Sequence, residues 1–243
     1  MKHTELPRYL LVSNRLPVTV SSSGSQVELK SSPGGLATAL AGVHGRAGSM
    51  WVGWPGDTSG LTRAQRADVD QRLTEQKMAP VHLAARQVER YYEGFANGVL
   101  WPLFHYLLDK VRLDAWRDWE AYRDANEQFA NAVAAVYRPG DRIWVHDYQL
   151  ALVPGMLRER LPEAAIGYFL HIPFPASGVF RILPWRNQLL TGLMGADVIG
   201  FHTYSYQRHF ASCLLRLLGV DADMDTVEYQ GRTVRLGGFP ISI

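Results

Sequence analysis

Cysteine is almost missing from the 243-residue chain, with Cys213 the only one. A single cysteine forms no intrachain disulfide and excludes a cysteine-rich zinc framework. Its SCLLRLL surroundings read as an apolar helix, so a buried structural thiol is expected rather than a nucleophile. An excess of charge of one sign is also lacking: 25 Lys+Arg face 23 Asp+Glu, for a formal +2, and the arginines are dispersed. That balance gives no electrostatic case for nucleic acid or an anionic membrane surface as partner. No apolar run approaches a membrane span, and the first residues show no charged-then-apolar signal pattern. There is no H-E-x-x-H pair, no cluster of metal-ligand types and no Ser-His-Asp triad, so neither metal nor cofactor is expected. What remains is a globular, cytoplasmic enzyme or binding protein, 47% hydrophobic and long enough to bury a substantial core.

What is present is a series of short apolar runs that stop abruptly at polar residues. Tyr9 to Ser13 ends at Asn14-Arg15, Trp51 to Trp54 at Pro55-Gly56, Asp141 to Val145 at His146-Asp147, Ile166 to Leu170 at His171, and Asp197 to Phe201 at His202. Helical patterns separate them, notably Glu89 to Phe104, Asp114 to Tyr137 with its aromatic stripe, Val179 to Met194 and Tyr206 to Leu218, with Gly219 as C-cap. This alternation predicts a doubly wound α/β domain with a mainly parallel sheet. Val18 to Val20 and Val27 to Leu29 flank the Ser/Gly-rich Ser21 to Ser25 and predict a hairpin insertion after the first strand, its tip a candidate mobile loop. A possible short strand spans Ala79 to Leu83, an exposed helix Thr62 to Gln76, and a second hairpin turns at Gln230-Gly231. The closing FPISI is strand-like and reads as a cut before a further segment.

Ligands of open parallel sheets sit outside the carboxyl ends of the strands, which marks the polar strand ends as a site. Asp147 offers a carboxylate to sugar hydroxyls and His171 an imidazole that donates or shuttles a proton; the alternative is a His-Asp pair that fixes the strand ends. His146 reads more readily as structural. Pro173 and Pro175 force the chain out of the sheet directly after His171. Arg15 should project from the same edge, to grip a phosphate or to make a surface ion pair. Gly34-Gly35 before LATALAGV lets backbone approach a phosphate at a helix N-terminus, or is only a turn. Tyr92 and Trp101, within YYEGFANGVLWP, suit a sugar-phosphate pocket or the core equally.

Taken together, LVSNRLPV, PGGLATAL, WVGWPG, YYEGFANGVLWPLFHY, IWVHDYQLALVPGMLRERLP, GYFLHIPFP and GFHTYSYQRHF resemble the N-terminal half of the trehalose-6-phosphate synthase family, in the family's order from about Tyr9 to Ile243. The resemblance implies a Rossmann-like N-terminal half of a GT-B glycosyltransferase, here residues 1–243 as an acceptor-binding domain, with the nucleotide-sugar-binding domain outside this chain. It implies transfer of glucose, with retention, from a nucleotide sugar (UDP-glucose in most of the family) to glucose 6-phosphate. By resemblance Arg15 meets the acceptor phosphate; Trp54, Tyr92, Trp101 and Asp147 form the acceptor pocket, with Trp51 a weaker match than Trp54. Gly34 and Gly35 approach the donor diphosphate and His171 lies beside the transferred glucose. The family uses no protein nucleophile: the acceptor attacks from the leaving-group face while a donor diphosphate oxygen helps take its proton. Two further readings stay open: a related synthase or pseudo-glycosyltransferase with another acceptor, and a non-catalytic sugar-phosphate-sensing subunit. Self-association into a homo-oligomer is also left open.

Overall fold

The computed structural model describes residues 7–23, 26–32, 34–45 and 48–240. The apolar runs form ten strands: β1 (Tyr9–Arg15), β2 (Val18–Ser23), β3 (Gln26–Ser31), β4 (Met50–Trp54), β5 (Met78–Pro80), β6 (Arg142–His146), β7 (Ala165–Phe169), β8 (Val198–Phe201), β9 (Thr226–Tyr229) and β10 (Arg232–Gly238). Eight of them make one sheet in the order β5-β4-β1-β6-β7-β8-β10-β9. Every pairing in it is parallel except β9 with β10. The chain winds outward from β1 through β4 to β5, then returns to lay β6 on the other flank of β1. The order therefore reverses between β1 and β6, the point at which sheets of this kind open a crevice beyond their carboxyl ends.

Strand periodicity divides the core. Leu10, Val12, Ile143, Val145, Ile166 and Ile199 point to a large cluster shared with Phe129 and Val133 of the helix Trp116–Val136. Leu11 and Trp51 point the other way, joining Leu40 of the helix Gly35–His44 and Val69 and Leu73 of the helix Arg63–Glu75. The latter helix starts on a capping box, with Thr62 Oγ1 accepting from Gln65 N–H and Gln65 Oε1 accepting from Thr62 N–H. The paired insertion β2–β3 is tied to the sheet by Leu16 N–H donating to Trp54 O and Val20 N–H to Pro55 O. Gly24 and Ser25, the tip of that hairpin, lie outside the described residues, as do the last three of FPISI. Cys213 is buried at the end of the helix Tyr204–Cys213, and burial pushes its thiol up to about 12.

Two local expectations need correcting, and a third, helical as expected over Glu89 to Phe104, differs in helix type. The helix expected over Val179 to Met194 is two pieces, Ser177–Phe180 and Arg186–Leu193. Pro184 stands in the break, and a proline has no N–H to continue the ladder. The strand expected from Ala79 to Leu83 is only Met78–Pro80, where Pro80 likewise lacks a donor. The helical stretch after Glu89 runs as a π-helix over Glu89–Leu100 before an α-helical turn at Trp101–Phe104. The hairpin at Gln230-Gly231 is found as expected, with φ of 51° and 74° at its two turn residues. Among the described residues no helix is long and apolar enough to cross a membrane.

Candidate functional site

Parallel pairing brings the polar residues that follow the strands to one edge. Asp147, directly after β6, has φ 74° and ψ 167°, a backbone region used almost only by glycine, whose cost other contacts must hold in place. Those contacts are visible. Asp147 N–H donates to Phe169 O at 2.8 Å, and Asp147 Oδ1 accepts from Tyr148 N–H at 3.0 Å and from His171 N–H at 3.2 Å. The carboxylate thus ties the end of β6 to the exit of β7. Burial raises its pKa to about 6, against the opposing pull of the two backbone N–H groups.

His146, 1% exposed, places Nδ1 3.0 Å from His171 Nε2. Burial, then the neighbouring His171, holds the His146 imidazole well below its ordinary value. Burial, then His202, brings His171 down to about 4. Both rings are neutral at pH 7, and the bond between them is one imidazole donating to the other. In place of the alternative His-Asp pair there is a His-His pair, with Asp147 bonded to the backbone of His171 and not to its ring. His146 Nε2 is buried and, among the described residues, has no partner.

On the β1 side the same edge is open to solvent. Arg15 is exposed, its guanidinium carbon 4.7 Å from the centre of the Trp54 ring. Trp54 is 7% exposed, and its indole N–H has no partner among the described residues. Behind Arg15, Trp51 Nε1 donates to Ser13 Oγ and Ser13 Oγ to Arg15 O, both at 2.7 Å, and Tyr91 Oη donates to Asn14 Oδ1 at 2.9 Å. These bonds fix the backbone from which the guanidinium projects. Between the two walls lies a cavity of about 260 Å³, lined by Asn14, Arg15, Gly34, Trp51, His146 and Asp147 among others. Gly34 precedes the helix Gly35–His44 without a side-chain cap, and a Cβ on either glycine would meet nothing within 4 Å. Packing inside the fold does not demand glycine there, and the space over this helix start is free.

The cavity gathers Arg15, Gly34 and Asp147, with Trp54 joined through Arg15 and His171 through His146. Trp51, on the opposite face of β4 from Trp54, is part of its lining. Tyr92 and Trp101 do not line it. They belong to the helical wall, Tyr92 half-buried beside Tyr91 and Trp101 40% exposed and stacked on His105 at 4.2 Å. Sequence reasoning passed over Asn14, which stands between the serine and arginine of the strand end, and His202, whose ring packs 5.7 Å from that of His171. A polar residue at each strand end was the available signal for both. A larger hollow of about 660 Å³ lies against the helices, lined by four arginines, Arg86 and Arg90 among them, against four acids including Glu89 and Glu93. It is away from the sheet edge and balanced in charge, so the smaller cavity is the better candidate. Among the described residues no group of three or more His, Cys, Asp or Glu is placed to hold a metal ion.

Three comparisons bear on this edge. The sequence profile of glycosyltransferase family 20 matches residues 7–243. The alpha,alpha-trehalose-phosphate synthase (UDP-forming) of Emericella nidulans is 46% identical over 242 residues, covering 97% of this chain and 47% of that protein. The solved alpha,alpha-trehalose-phosphate synthase (UDP-forming) of Burkholderia xenovorans in complex with glucose-6-phosphate superposes with a TM-score of 0.78 at 33% identity, over 97% of this chain and 50% of that one. An E. coli structure described as trehalose-6-phosphate bound with UDP-2-fluoro glucose gives a TM-score of 0.80 at 31% identity, over 97% of this chain and 49% of that one. The chain spans about half the length of these relatives.

Proposed function

The chain belongs to glycosyltransferase family 20, and on that premise we propose that it is the acceptor-binding half of a trehalose-6-phosphate synthase. The whole enzyme transfers glucose from UDP-glucose to glucose 6-phosphate with retention, giving trehalose 6-phosphate. The observation that carries this reading is the cavity at the strand-order reversal, where an exposed arginine, a free helix start and a half-buried carboxylate meet. The glucose-6-phosphate complex of the Burkholderia relative and the UDP-2-fluoro glucose of the E. coli structure support the two substrates.

In this assignment Arg15, steadied over Trp54, grips the acceptor phosphate, and a guanidinium suits that task because it is always charged and presents a fork of donors. Tyr92 and Trp101 complete the acceptor side from the helical wall. Asp147 holds acceptor hydroxyls with Oδ2, its Oδ1 being committed to backbone N–H groups. The backbone at Gly34 and Gly35 faces the donor diphosphate, where the helix start favours negative charge. His171 lies beside the transferred glucose. No side chain here serves as a nucleophile; the acceptor oxygen attacks from the face the diphosphate leaves, and stabilising charge on that diphosphate supplies most of the acceleration. The residues that hold the nucleotide belong to a second domain of the full-length protein, which works in the cytoplasm.

A radiolabelled transfer assay tests the assignment. Full-length protein should form trehalose 6-phosphate from UDP-glucose and glucose 6-phosphate, and the 243-residue chain alone should form little or none. Failure of the full-length protein to bind glucose 6-phosphate would overturn the acceptor, and turnover by the chain alone at the full-length rate would overturn the division of labour.

A further inference from the structure

Beside the roles assigned above stands a buried histidine with none. We propose that His146 is a positioning residue: it donates its Nδ1 proton to His171 Nε2 and so fixes His171 as the Nδ1–H tautomer. His171 then meets the donor sugar as a hydrogen-bond donor and is barred from acting as a base. The part that concerns the sugar rests on the proposed function; the tautomer stands on the geometry alone.

Two neutral imidazoles 3.0 Å apart share one proton between Nδ1 of His146 and Nε2 of His171. If His171 supplied it, His146 would have to carry its own proton on Nε2. That nitrogen is buried without a partner among the described residues, and an orphaned buried N–H is the rarer and costlier fault than an unused acceptor. If His146 supplies it, Nε2 is a bare lone pair and the only proton left on the His171 ring sits on Nδ1. No protein group among the described residues bonds to that Nδ1. The ring itself cannot turn freely, because Phe169 packs at 4.7 Å and His202 at 5.7 Å between centroids, and the His171 main chain is held by Asp147 Oδ1. His146 is held in turn against Trp144 at 4.7 Å. The pair is thus a rigid unit with one free, proton-bearing nitrogen.

Proton positions are readable directly, by neutron diffraction or by the 15N shifts of labelled histidine in the full-length, ligand-free protein. A proton on His171 Nδ1 and none on its Nε2 is expected; the reverse overturns the tautomer whatever the enzyme's substrates are. Substitution then separates positioning from mere packing. In His146→Asn the amide occupies the place of Nδ1 and can still donate, whereas in the isosteric His146→Asp a carboxylate can only accept and forces the proton of His171 onto Nε2. The Asn variant should keep the wild-type tautomer and exceed the Asp variant in kcat by on the order of tenfold, the scale of one hydrogen bond to substrate. KM for glucose 6-phosphate should differ little between them. Equal kcat in two folded variants with opposite tautomers would overturn the positioning role. If the Asp variant fails to fold, His146→Gln, whose longer amide cannot reproduce the Nδ1 contact, replaces it with the same loss of kcat expected; if the Asn variant fails to fold, the wild-type proton map decides the tautomer and the Asp variant is compared with wild type. Absence of trehalose 6-phosphate synthesis in the wild type would instead count against the proposed function.

Discussion

The two walls of the cavity are built on opposite principles. On the β1 side Arg15 is exposed, rests on an aromatic ring and owes its position to neighbours that bond its backbone. On the β6–β7 side His146, Asp147 and His171 are withdrawn from water, bonded to one another, displaced from their ordinary pKa values and, at Asp147, held in an unfavourable backbone conformation. The Arg15 side chain should be replaceable without disturbing the fold, because among the described residues no hydrogen bond or ion pair of the fold runs to its guanidinium. On the second wall the residues proposed to meet substrate are also those that tie the ends of β6 and β7 together. In the assignment proposed above, a charge that must catch a mobile anion gains from solvent access and free reach, and groups that must hold a sugar in one pose gain from rigidity.

The comparison is broken most severely at Asp147. Asp147→Ala leaves two backbone N–H groups without their acceptor and keeps the unfavourable φ, so unfolding in denaturant should show a loss of about 2–4 kcal/mol together with loss of transfer. A fully stable, inactive variant would mean that the carboxylate serves substrate alone. Arg15→Ala is the counterpart: stability should change by no more than about 0.5 kcal/mol, while calorimetry on the full-length protein should show glucose 6-phosphate binding weakened by about 1.5–3 kcal/mol.

Acid titration sharpens the contrast next. His146 and His171 have folded pKa values below their unfolded ones, so the stability they confer is present above about pH 6.5 and is lost as pH falls, for His171 through about 4. Asp147 has a folded value raised to about 6, so its contribution is full below about 3.8 and is lost as pH rises through 6, the opposite sense. Between pH 6 and 4 two histidines oppose one carboxylate, so stability should fall, on balance, as pH falls through this range. Replacing Arg15 should leave that fall unaltered. Smallest is Gly34→Ala, whose φ of −153° suits any residue and whose Cβ meets nothing within 4 Å. Its melting temperature should stay within error of wild type, and any fall in donor affinity would report close approach of the diphosphate to that backbone.

How much of this was legible in the sequence follows from the range of the forces involved. Strands that end abruptly in polar residues, the Gln230-Gly231 turn and the serine-rich hairpin are local patterns, and each element appeared where its pattern lay. The parallel sheet followed from their alternation, whereas the Rossmann-like half of a GT-B fold followed from the family resemblance. The π-helical stretch did not, because nothing within Glu89–Leu100 announces it: Gly94 presses so closely on the helix Trp116–Val136 that a Cβ there would lie 2.7 Å from Asp118 Cγ. That close packing is against a residue 24 positions away, beyond what a local pattern displays. Nor could sequence show that His146 and His171, 25 residues apart, share a proton, since that depends on the register that sets His146 against Phe169. Pro184 is a local signal for the break between Ser177–Phe180 and Arg186–Leu193, since a proline has no N–H to continue the ladder.

The backbone at position 147 also has a consequence for what variation the protein tolerates. Only glycine adopts its φ and ψ without penalty, and glycine has no carboxylate; glutamate has one, but on a longer arm that cannot close the short bonds to Tyr148 and His171 N–H. Asparagine matches the length and can present an oxygen to both N–H groups, yet it is neutral. A saturation library at this codon, sorted once for folded protein and once for activity, should therefore return different survivors: glycine and asparagine beside aspartate in the first sort, aspartate alone in the second.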